Sequence, residues 1–276
     1  MSKTSFHDFF QRLATASTPP TAAPAAHAWQ AELAASSDCP DRLIRIPTGF
    51  GKTLGVLAAW LWNRVEHEDP RWPRRLVWCL PMRTLVEQTE DEIRKALERT
   101  GRLWTGLDEH AGKVGVHRLM GGADAGEWSL HPEHPAVLIG TQDMLLSRAL
   151  NRGYASARAR WPMEFGLLNH DCLWVLDEVQ LMDVGLATSG QLQAFRRQDE
   201  AAGKTLRPCR SWWMSATLQA AWLTQSPETS GFADLLPRSE IPSDQRQGPP
   251  ALPQRTEPVR QGNFPLDGQL ESGGGT

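Results

Sequence analysis

A glycine-rich segment, residues 46–53 with the sequence IPTGFGKT, limits most strongly the folds open to this chain. It follows the apolar run 43–46 and precedes an amphipathic stretch that begins near Thr53. A glycine-rich turn between a buried strand and a helix points backbone N–H groups and the positive end of the helix at one place, and phosphate groups bind there. The segment therefore predicts a strand, a phosphate-binding loop and a helix in succession.

The loop also supplies side chains with the chemistry of a nucleotide site. The Lys52 ammonium would reach the β and γ phosphates of ATP, and the Thr53 hydroxyl would ligate Mg²⁺. The residues predicted to bind ATP here are Thr48, Gly49, Phe50, Gly51, Lys52 and Thr53. Residue 46 is isoleucine where the longer phosphate-loop pattern has glycine, so only the shorter form TGxGKT is present.

Short apolar runs recur along the chain between longer amphipathic stretches. Such runs, without alternation, are typical of strands covered on both faces, and helices between them indicate a parallel sheet. The predicted strands are 43–46, 76–80, 137–139, 173–176 and 212–214, and the predicted helices are 53–65, 84–99, 141–151 and 186–198. The fold class is therefore α/β, a mostly parallel central sheet flanked by helices on both faces.

The two ends of the chain have a different composition from its middle. Phe6, Phe9, Phe10 and Leu13 recur at helical spacing, which predicts a short helix over 5–15 that docks one apolar face. A Pro/Ala-rich spacer completes segment 1–26, the α/β domain is expected over 27–225, and 226–276 is predicted to be a low-order tail or linker.

Two adjacent carboxylates, Asp177 and Glu178, directly follow the buried run 173–176. The carboxyl edge of a parallel sheet is where ligands bind in open α/β folds. Neighbouring carboxylates repel unless a cation lies nearby, so Asp177 is predicted to hold Mg²⁺ and Glu178 to act as general base toward water. A solvated acidic turn is the alternative interpretation.

Further polar segments follow other predicted strands. They place a guanidinium, hydroxyls and backbone N–H groups along one sheet edge, which suits consecutive backbone phosphates of a nucleic acid. The predicted contacts are Arg83, Thr84, Gly121, Gly122, Thr141 and Gln142. Taken singly, each segment fits an ordinary cap or turn better than a nucleic-acid contact. Ser215 and Thr217 end another strand, where their hydroxyls could bond the turn 177–180 and couple nucleotide state to Gln180.

Composition sets wider bounds. The net charge of −3 gives no overall attraction to nucleic acid, so any such binding must be local. The four cysteines include no C-x-x-C pair and are predicted to be reduced core thiols. No signal-peptide pattern and no apolar run of membrane-spanning length is present, so a cytoplasmic location is expected.

In their order and spacing, TGxGKT, PxRxLVxQ, GG, GTxD, DEVQ and SAT resemble the motifs of DEAD/DEAH-like superfamily 2 helicases. The resemblance covers 27–218 and implies the first RecA-like lobe of such a motor, with ATP and Mg²⁺ as cofactors. IPTGFGKT, GTQDMLLSRAL and VLDEVQLM further resemble the helicase subunit of type I CRISPR interference systems. That resemblance implies translocation on single-stranded DNA, and it implies that Gln30 pairs with adenine. Trp29 fits either an adenine contact or a core position.

The chain also departs from that family. The arginine motif of a second lobe and clustered His-Asp ligands of an HD nuclease are not in the sequence, so both are expected elsewhere, as is the CRISPR effector complex. Gln180 stands where the family motif has histidine, which puts only coupling between lobes in doubt. The lobe is expected to be inactive alone. An RNA or DNA-repair helicase, or a nucleotide-binding module that does not translocate, remain alternative interpretations.

Overall fold

The computed structural model describes residues 4–15, 25–106, 111–121, 127–224, 226–231 and 236–241. They belong to one compact unit that ends at Ile241. Gly122 and most of the predicted spacer lie outside the described residues, as does the predicted tail beyond Ile241.

Within the described ranges, a central sheet of seven strands organises the domain, and every neighbouring pair of these strands is parallel. The spatial order is β3-β4-β2-β5-β6-β1-β7. The strands are β1 (Arg42–Arg45), β2 (Arg75–Leu80), β3 (Gly115–Leu119), β4 (Ala136–Thr141), β5 (Cys172–Asp177), β6 (Arg210–Ser215) and β7 (Arg238–Glu240).

The central strands are apolar throughout because both of their faces are covered. In β5, Leu173 and Val175 pack into the apolar cluster on one side of the sheet, and Trp174 and Leu176 pack into the cluster on the other side. Successive side chains of a strand point to opposite faces, so a strand between two helical layers needs apolar residues at every position. This confirms the α/β class and the predicted helices on both faces.

The seven α-helices of the described residues divide between the two faces of the sheet. The layer formed by α1 to α4 shares one cluster, and α5 to α7 share the other. Their bounds are α1 (Phe6–Ala14), α2 (Ala28–Ala35), α3 (Lys52–Trp60), α4 (Arg83–Arg99), α5 (Gln142–Ala149), α6 (Trp161–Asn169) and α7 (Val184–Ala201). A wider π-helical turn, Leu61–Glu66, continues α3 and completes the segment predicted as helix 53–65.

The amino-terminal helix docks as its pattern predicts. Ser5 caps α1, and the Asp8 carboxylate in turn accepts a hydrogen bond from the Ser5 backbone, which closes a capping box. Phe9, Phe10 and Leu13 are buried. Ring contacts from Phe6 and Phe9 to Trp62 attach the helix to the π-helical turn.

Beyond residue 225, where the α/β domain was predicted to end, the described residues add one more strand to the sheet. The segment expected to be a low-order tail contributes β7, which pairs in parallel with β1. Its three residues, Arg238, Ser239 and Glu240, are polar and lie at the sheet edge, so they carry no apolar pattern. Only Ser239 is buried, where its hydroxyl accepts a hydrogen bond from Arg42 at 3.0 Å.

All four cysteines are free and buried, which confirms their interpretation as core thiols. In the described part of the chain, no helix has the length and apolar character needed to cross a membrane.

Because the strands run in the same direction, their carboxyl ends meet at one edge. The glycine-rich loop follows β1, the end of β6 lies beside it, and the ends of β5, β2 and β4 follow in that order along the same edge. Every motif singled out in the sequence belongs to this edge or to the segments that leave it.

Candidate nucleotide and nucleic-acid site

Two glycines shape the loop between β1 and α3. Gly49 and Gly51 have φ angles of +86° and +63°, a left-handed conformation that disfavours other residues. Gly51 is the residue before the first turn of α3, which begins at Lys52. The backbone N–H groups of that turn are thereby left open to an anion at the carboxyl edge of the sheet.

The Lys52 ammonium lies between the two predicted carboxylates. Its Nζ is 2.7 Å from Glu178 Oε1 and 4.0 Å from Asp177 Oδ1. The structure therefore brings the loop lysine, the predicted metal ligand and the predicted base together. Phosphate oxygens placed in the loop would compete with Glu178 for the same ammonium.

Asp177 ends β5 and is almost completely enclosed. Burial raises its pKa to about 6, and the Glu178 charge adds to that rise, while Lys52 and hydrogen bonds oppose it. Those hydrogen bonds come from the Glu178 backbone N–H at 2.8 Å and from the Trp78 indole at 3.4 Å. A nearby cation stabilises the charge of a buried carboxylate, so this environment is compatible with a Mg²⁺ ligand.

Glu178 occupies a different environment. Burial raises its pKa, but hydrogen bonds from Lys52 and Gln180 outweigh this effect, so the net pKa lies below its ordinary value. The Gln180 amide donates to Glu178 Oε2 at 2.7 Å. Glu178 has a left-handed backbone, φ +51° and ψ +46°, where the strand turns into the next segment. Such strain in a non-glycine residue marks a position whose direction is fixed by its surroundings.

Thr53, the other predicted metal ligand, contacts a residue that the sequence did not single out. Loss of hydration raises the pKa of Glu92 on α4, and a hydrogen bond with the Thr53 side chain opposes that rise. A hydroxyl that donates to a carboxylate keeps its oxygen lone pairs for a metal ion. The contact is therefore compatible with the predicted role of Thr53.

The Gln30 amide is engaged within the protein in this structure, and its pairing with adenine stays a prediction. Its side chain is buried, and both ends of the amide are engaged: Nε2 donates to the Gly51 carbonyl at 3.0 Å, and Oε1 accepts from the His27 backbone at 2.8 Å. The hydrogen bond to the Gly51 carbonyl connects α2 to the phosphate loop. Trp29 is a core residue, 4% exposed, which decides between its two interpretations.

The predicted link between β6 and the acidic turn is present. The buried Ser215 hydroxyl donates to Gln180 Oε1 at 2.6 Å, and Gln180 in turn donates to Glu178. Thr217 takes part only through Ser215, whose hydroxyl accepts from the Thr217 backbone at 3.0 Å. A chain of hydrogen bonds thus runs from the end of β6 to the predicted base, while its response to nucleotide stays a prediction.

The predicted nucleic-acid contacts gather beside this site. A groove of about 790 Å³ is lined by Arg83, Gly121, Thr141 and Gln142 from three different segments. An Arg83 guanidinium nitrogen lies 3.2 Å from the position that a Cβ on Gly121 would take, so the two segments are adjacent. Thr84 is exposed but does not line the groove.

The groove also has an apolar wall that sequence reasoning missed. Met82, Leu150, Tyr154 and Val184 line it and are between 44% and 74% exposed. Tyr154 is the chain's single tyrosine and lies in a polar segment after α5. Its isolation there was the one available signal, because an aromatic residue in a polar loop is not needed for the core.

A parallel sheet with helices on both faces, a phosphate loop after β1 and an acidic pair after β5 define a RecA-like P-loop domain. Residues 27–225 match the DEAD/DEAH box helicase family, and the chain belongs to that family. It carries the ATP-binding lobe of a superfamily 2 helicase.

The chain is similar to parts of several solved helicase structures. Mss116p bound to single-stranded RNA and AMP-PNP is 22% identical with a TM-score of 0.47, over 73% of this chain and 37% of that one. The helicase MrfA bound to DNA is 15% identical with a TM-score of 0.49, over 83% and 29%. Yeast Prp28 is 18% identical with a TM-score of 0.43, over 73% and 42%.

The matched region spans well under half the length of each of these proteins. No curated protein sequence matches the chain.

Proposed function

We propose that this chain is the ATP-binding motor lobe of a helicase that translocates on single-stranded DNA during type I CRISPR interference. Three segments that resemble the helicase subunit of those systems support the choice of system: the phosphate loop, 140–150 at the end of β4 and along α5, and 175–182 around the acidic pair. A second lobe, an HD nuclease and the CRISPR effector complex are the partners that this proposal requires.

One observation carries the motor role. The groove lined by Arg83, Gly121 and Thr141 and the Lys52–Glu178 pair lie along the same carboxyl edge of one sheet. Conformational changes at the phosphates can therefore reach the groove through packed strands and short turns. The Ser215–Gln180–Glu178 hydrogen bonds connect the end of β6 to the predicted base along the same edge.

The residues at the phosphates fit Mg-ATP. Lys52 would bind the β and γ phosphates, Thr53 and Asp177 would hold Mg²⁺, and Glu178 would orient and deprotonate water once Lys52 has left it. The metal would neutralise charge that develops on the phosphate oxygens. Gln180 would keep Glu178 directed at the water by its hydrogen bond to Oε2.

The groove suits the backbone of a single strand better than the recognition of base edges in a duplex. Arg83 and the backbone N–H groups near Gly121 and Thr141 suit phosphates, and Tyr154 offers an exposed ring on which a base can stack. Gly122 is also assigned to phosphate contact in this proposal. Binding should therefore be weak and independent of sequence.

The test is the salt dependence of binding to labelled single-stranded DNA and to RNA of the same sequence, followed by fluorescence anisotropy. About three phosphate contacts predict that log K falls with log salt with a slope of about −2. Arg83→Gln should reduce that slope by about 0.7. Arg71→Gln is the matched control, because Arg71 is exposed, paired with Asp69 and outside the groove.

Tighter binding to RNA than to DNA would overturn the DNA assignment and leave the ATPase lobe intact. The choice of system is tested with the complete helicase, reconstituted with a type I effector complex on its DNA target. ATP-dependent unwinding that starts only when the effector complex is bound supports the proposal. Equal unwinding without that complex contradicts it.

A further inference from the structure

A group of histidines lies at the opposite edge of the sheet from the phosphate loop. Residues 131–134, with the sequence HPEH, form a turn just before β4 begins at Ala136. The turn is closed by the His134 backbone N–H, which donates to the His131 carbonyl at 3.2 Å. It brings the two imidazole rings to a centroid separation of 6.0 Å.

Glu133 lies between the two rings. Its Oε1 is 3.6 Å from His131 Nδ1 and 3.2 Å from His134 Nε2. One ligand atom from each of the three residues lies within 4.8 Å of the others. A tetrahedral ion bound at about 2.0–2.1 Å separates its ligand atoms by roughly 3.3–3.4 Å, so two of the observed spacings are close to those of a metal site.

The neighbouring residues form a partly closed shell. His131 makes an edge-on ring contact with Trp104 at 5.7 Å. His117 on β3 and the buried Trp128 line the same cavity of about 10 Å³, which is room for one water-sized occupant. Trp128 Nε1 is buried and has no hydrogen-bond partner among the described residues, which favours an ordered water or a hydrated ion beside it.

We propose that His131, Glu133 and His134 bind one transition-metal ion, for which Zn²⁺ is the best match. Two imidazoles and one carboxylate form a donor set that suits Zn²⁺, whereas Mg²⁺ prefers oxygen ligands in octahedral geometry. The fourth position is left for water or for His117. This site is separate from the Mg²⁺ ligands Thr53 and Asp177 and does not depend on the proposed function.

The position of the site defines what a bound ion would do. The turn 131–134 leads into β4, and β4 pairs with the edge strand β3. An ion held by the turn would fix the entry of β4. His117 as fourth ligand would tie it to β3 as well. The expected consequence is a stabilised sheet edge with no direct part in phosphate transfer.

The experiment uses the complete 276-residue chain, stripped of metal with a chelator and titrated with ZnCl₂ by calorimetry. One ion should bind per chain and raise the melting temperature, because a ligand that binds the folded state stabilises it. His131→Ala and His134→Ala should each weaken binding at least 100-fold, more than the roughly 10–100-fold that loss of an outer-shell partner costs. Glu133→Gln should weaken it about 10-fold or more.

Two controls separate this site from other zinc ligands. His7→Ala removes an exposed histidine on α1 and should leave binding unchanged. The Lys52→Ala variant should no longer bind ATP but should still bind Zn²⁺. A failure of the zinc proposal can therefore be distinguished from a failure of the proposed nucleotide site. The substituted ligands are exposed or half-buried, and circular dichroism verifies that each variant folds.

Undiminished binding in the double variant His131→Ala, His134→Ala would assign the ion to other groups, such as the buried thiols, and would overturn the proposal. Equal competition by Mg²⁺ would overturn it too, because an oxygen-seeking ion should not displace Zn²⁺ from imidazoles. Absence of binding at micromolar zinc would also overturn the proposal. His131, Glu133 and His134 would then form only surface ion pairs.

Discussion

The Lys52 ammonium can pair either with Glu178 or with a nucleotide phosphate. The exchange between these two partners controls both nucleotide binding and the availability of Glu178. In the structure its ammonium is held by Glu178 at 2.7 Å, the contact that a nucleotide phosphate must replace. The same event frees a Glu178 oxygen for water. Binding of phosphate and release of the base are therefore one exchange of hydrogen bonds, and single substitutions should separate its two halves.

Lys52→Ala should abolish measurable ATP binding, because Lys52 is the cation that the structure places at the phosphate loop. Glu178→Gln should bind ATP about as well as the unaltered chain, since Asp177 and Thr53 remain for the metal, yet it should not turn ATP over in the full-length helicase. Calorimetry with Mg-ATP and a phosphate-release assay give the two readouts. Unchanged affinity in Lys52→Ala would remove Lys52 from the site.

Asp177 should make the stability of the folded chain depend on pH. Its pKa is about 6, above the ordinary 3.8, so its stabilising contribution is complete below about 3.8 and is lost as pH rises through about 6. Asp177→Asn mimics the protonated acid at every pH. Its advantage in unfolding free energy over the unaltered chain, without Mg²⁺, should grow by about 2 kcal/mol between about pH 4 and pH 8.

Urea unfolding of both chains at several pH values measures this difference. Added Mg²⁺ should reduce the advantage at the higher pH, because a cation on the carboxylate offsets the burial cost. An advantage that stays constant with pH would show that Asp177 titrates normally.

At the scale of helices and strands, sequence patterns found the elements that are long or buried on both faces. β2, β4 and β5 are apolar at nearly every position and were predicted. β3 and β7 were missed, because edge strands such as β7 and the His117–Arg118 part of β3 carry polar residues that resemble loops. Tertiary packing, which no local pattern encodes, decides that these segments join the sheet.

In the candidate site, too, the residues of sequence motifs were predicted and the contacts made by packing were not. Lys52, Asp177 and Glu178 were predicted because each belongs to a motif at a strand end, and the parallel sheet then brings the strand ends together. The hydrogen bond from the Gln30 amide to Gly51 was not predicted, because nothing in the sequence shows this contact between α2 and the phosphate loop. Glu92 was missed because it reaches Thr53 only when α3 and α4 pack side by side.

The packing of α2 on α3 depends on a missing side chain. A Cβ on Gly55 would lie 2.6 Å from the Trp29 ring and 2.8 Å from Gln30, so the helices could not keep their spacing. Gly55→Ala should lower the free energy of unfolding by about 1–3 kcal/mol despite the better helix propensity of alanine. It should also weaken ATP binding, because Gln30 supports the loop at Gly51.

Gly166→Ala in α6 is the matched control for this prediction. Apart from its chain neighbours and the backbone of its own helix, no atom of the described residues lies within 4 Å of the position its Cβ would take. Alanine there should be neutral or stabilise the chain by up to about 1 kcal/mol. Denaturant unfolding of the two variants should move in opposite directions, and a Gly55→Ala chain as stable as Gly166→Ala would show that Trp29 can move aside at no cost.

All the residues predicted to bind the nucleotide, and all those that line the groove, belong to one domain. This arrangement determines how fast the chain can hydrolyse ATP by itself. The phosphate loop, the acidic pair and the groove residues all project from one sheet edge, so phosphates bound there have protein on one side. Charge spreads over the γ-phosphate oxygens during transfer, and an arginine that reaches them from the opposite side accelerates the reaction by about 10³–10⁵. Arg45 and Arg83 lie on the same lobe as the loop.

The purified 276-residue chain should therefore bind Mg-ATP and hydrolyse it far below the rate of about 1 per second that marks the lower end of typical enzymes. Single-stranded DNA should not rescue it, because a strand in the groove adds no cation at the γ phosphate. Steady-state phosphate release, with and without DNA, is the measurement, and Glu178→Gln sets the background. Turnover near 1 per second that Glu178→Gln abolishes would instead mean that the site is complete in this chain, or that a second copy supplies the arginine across a dimer interface.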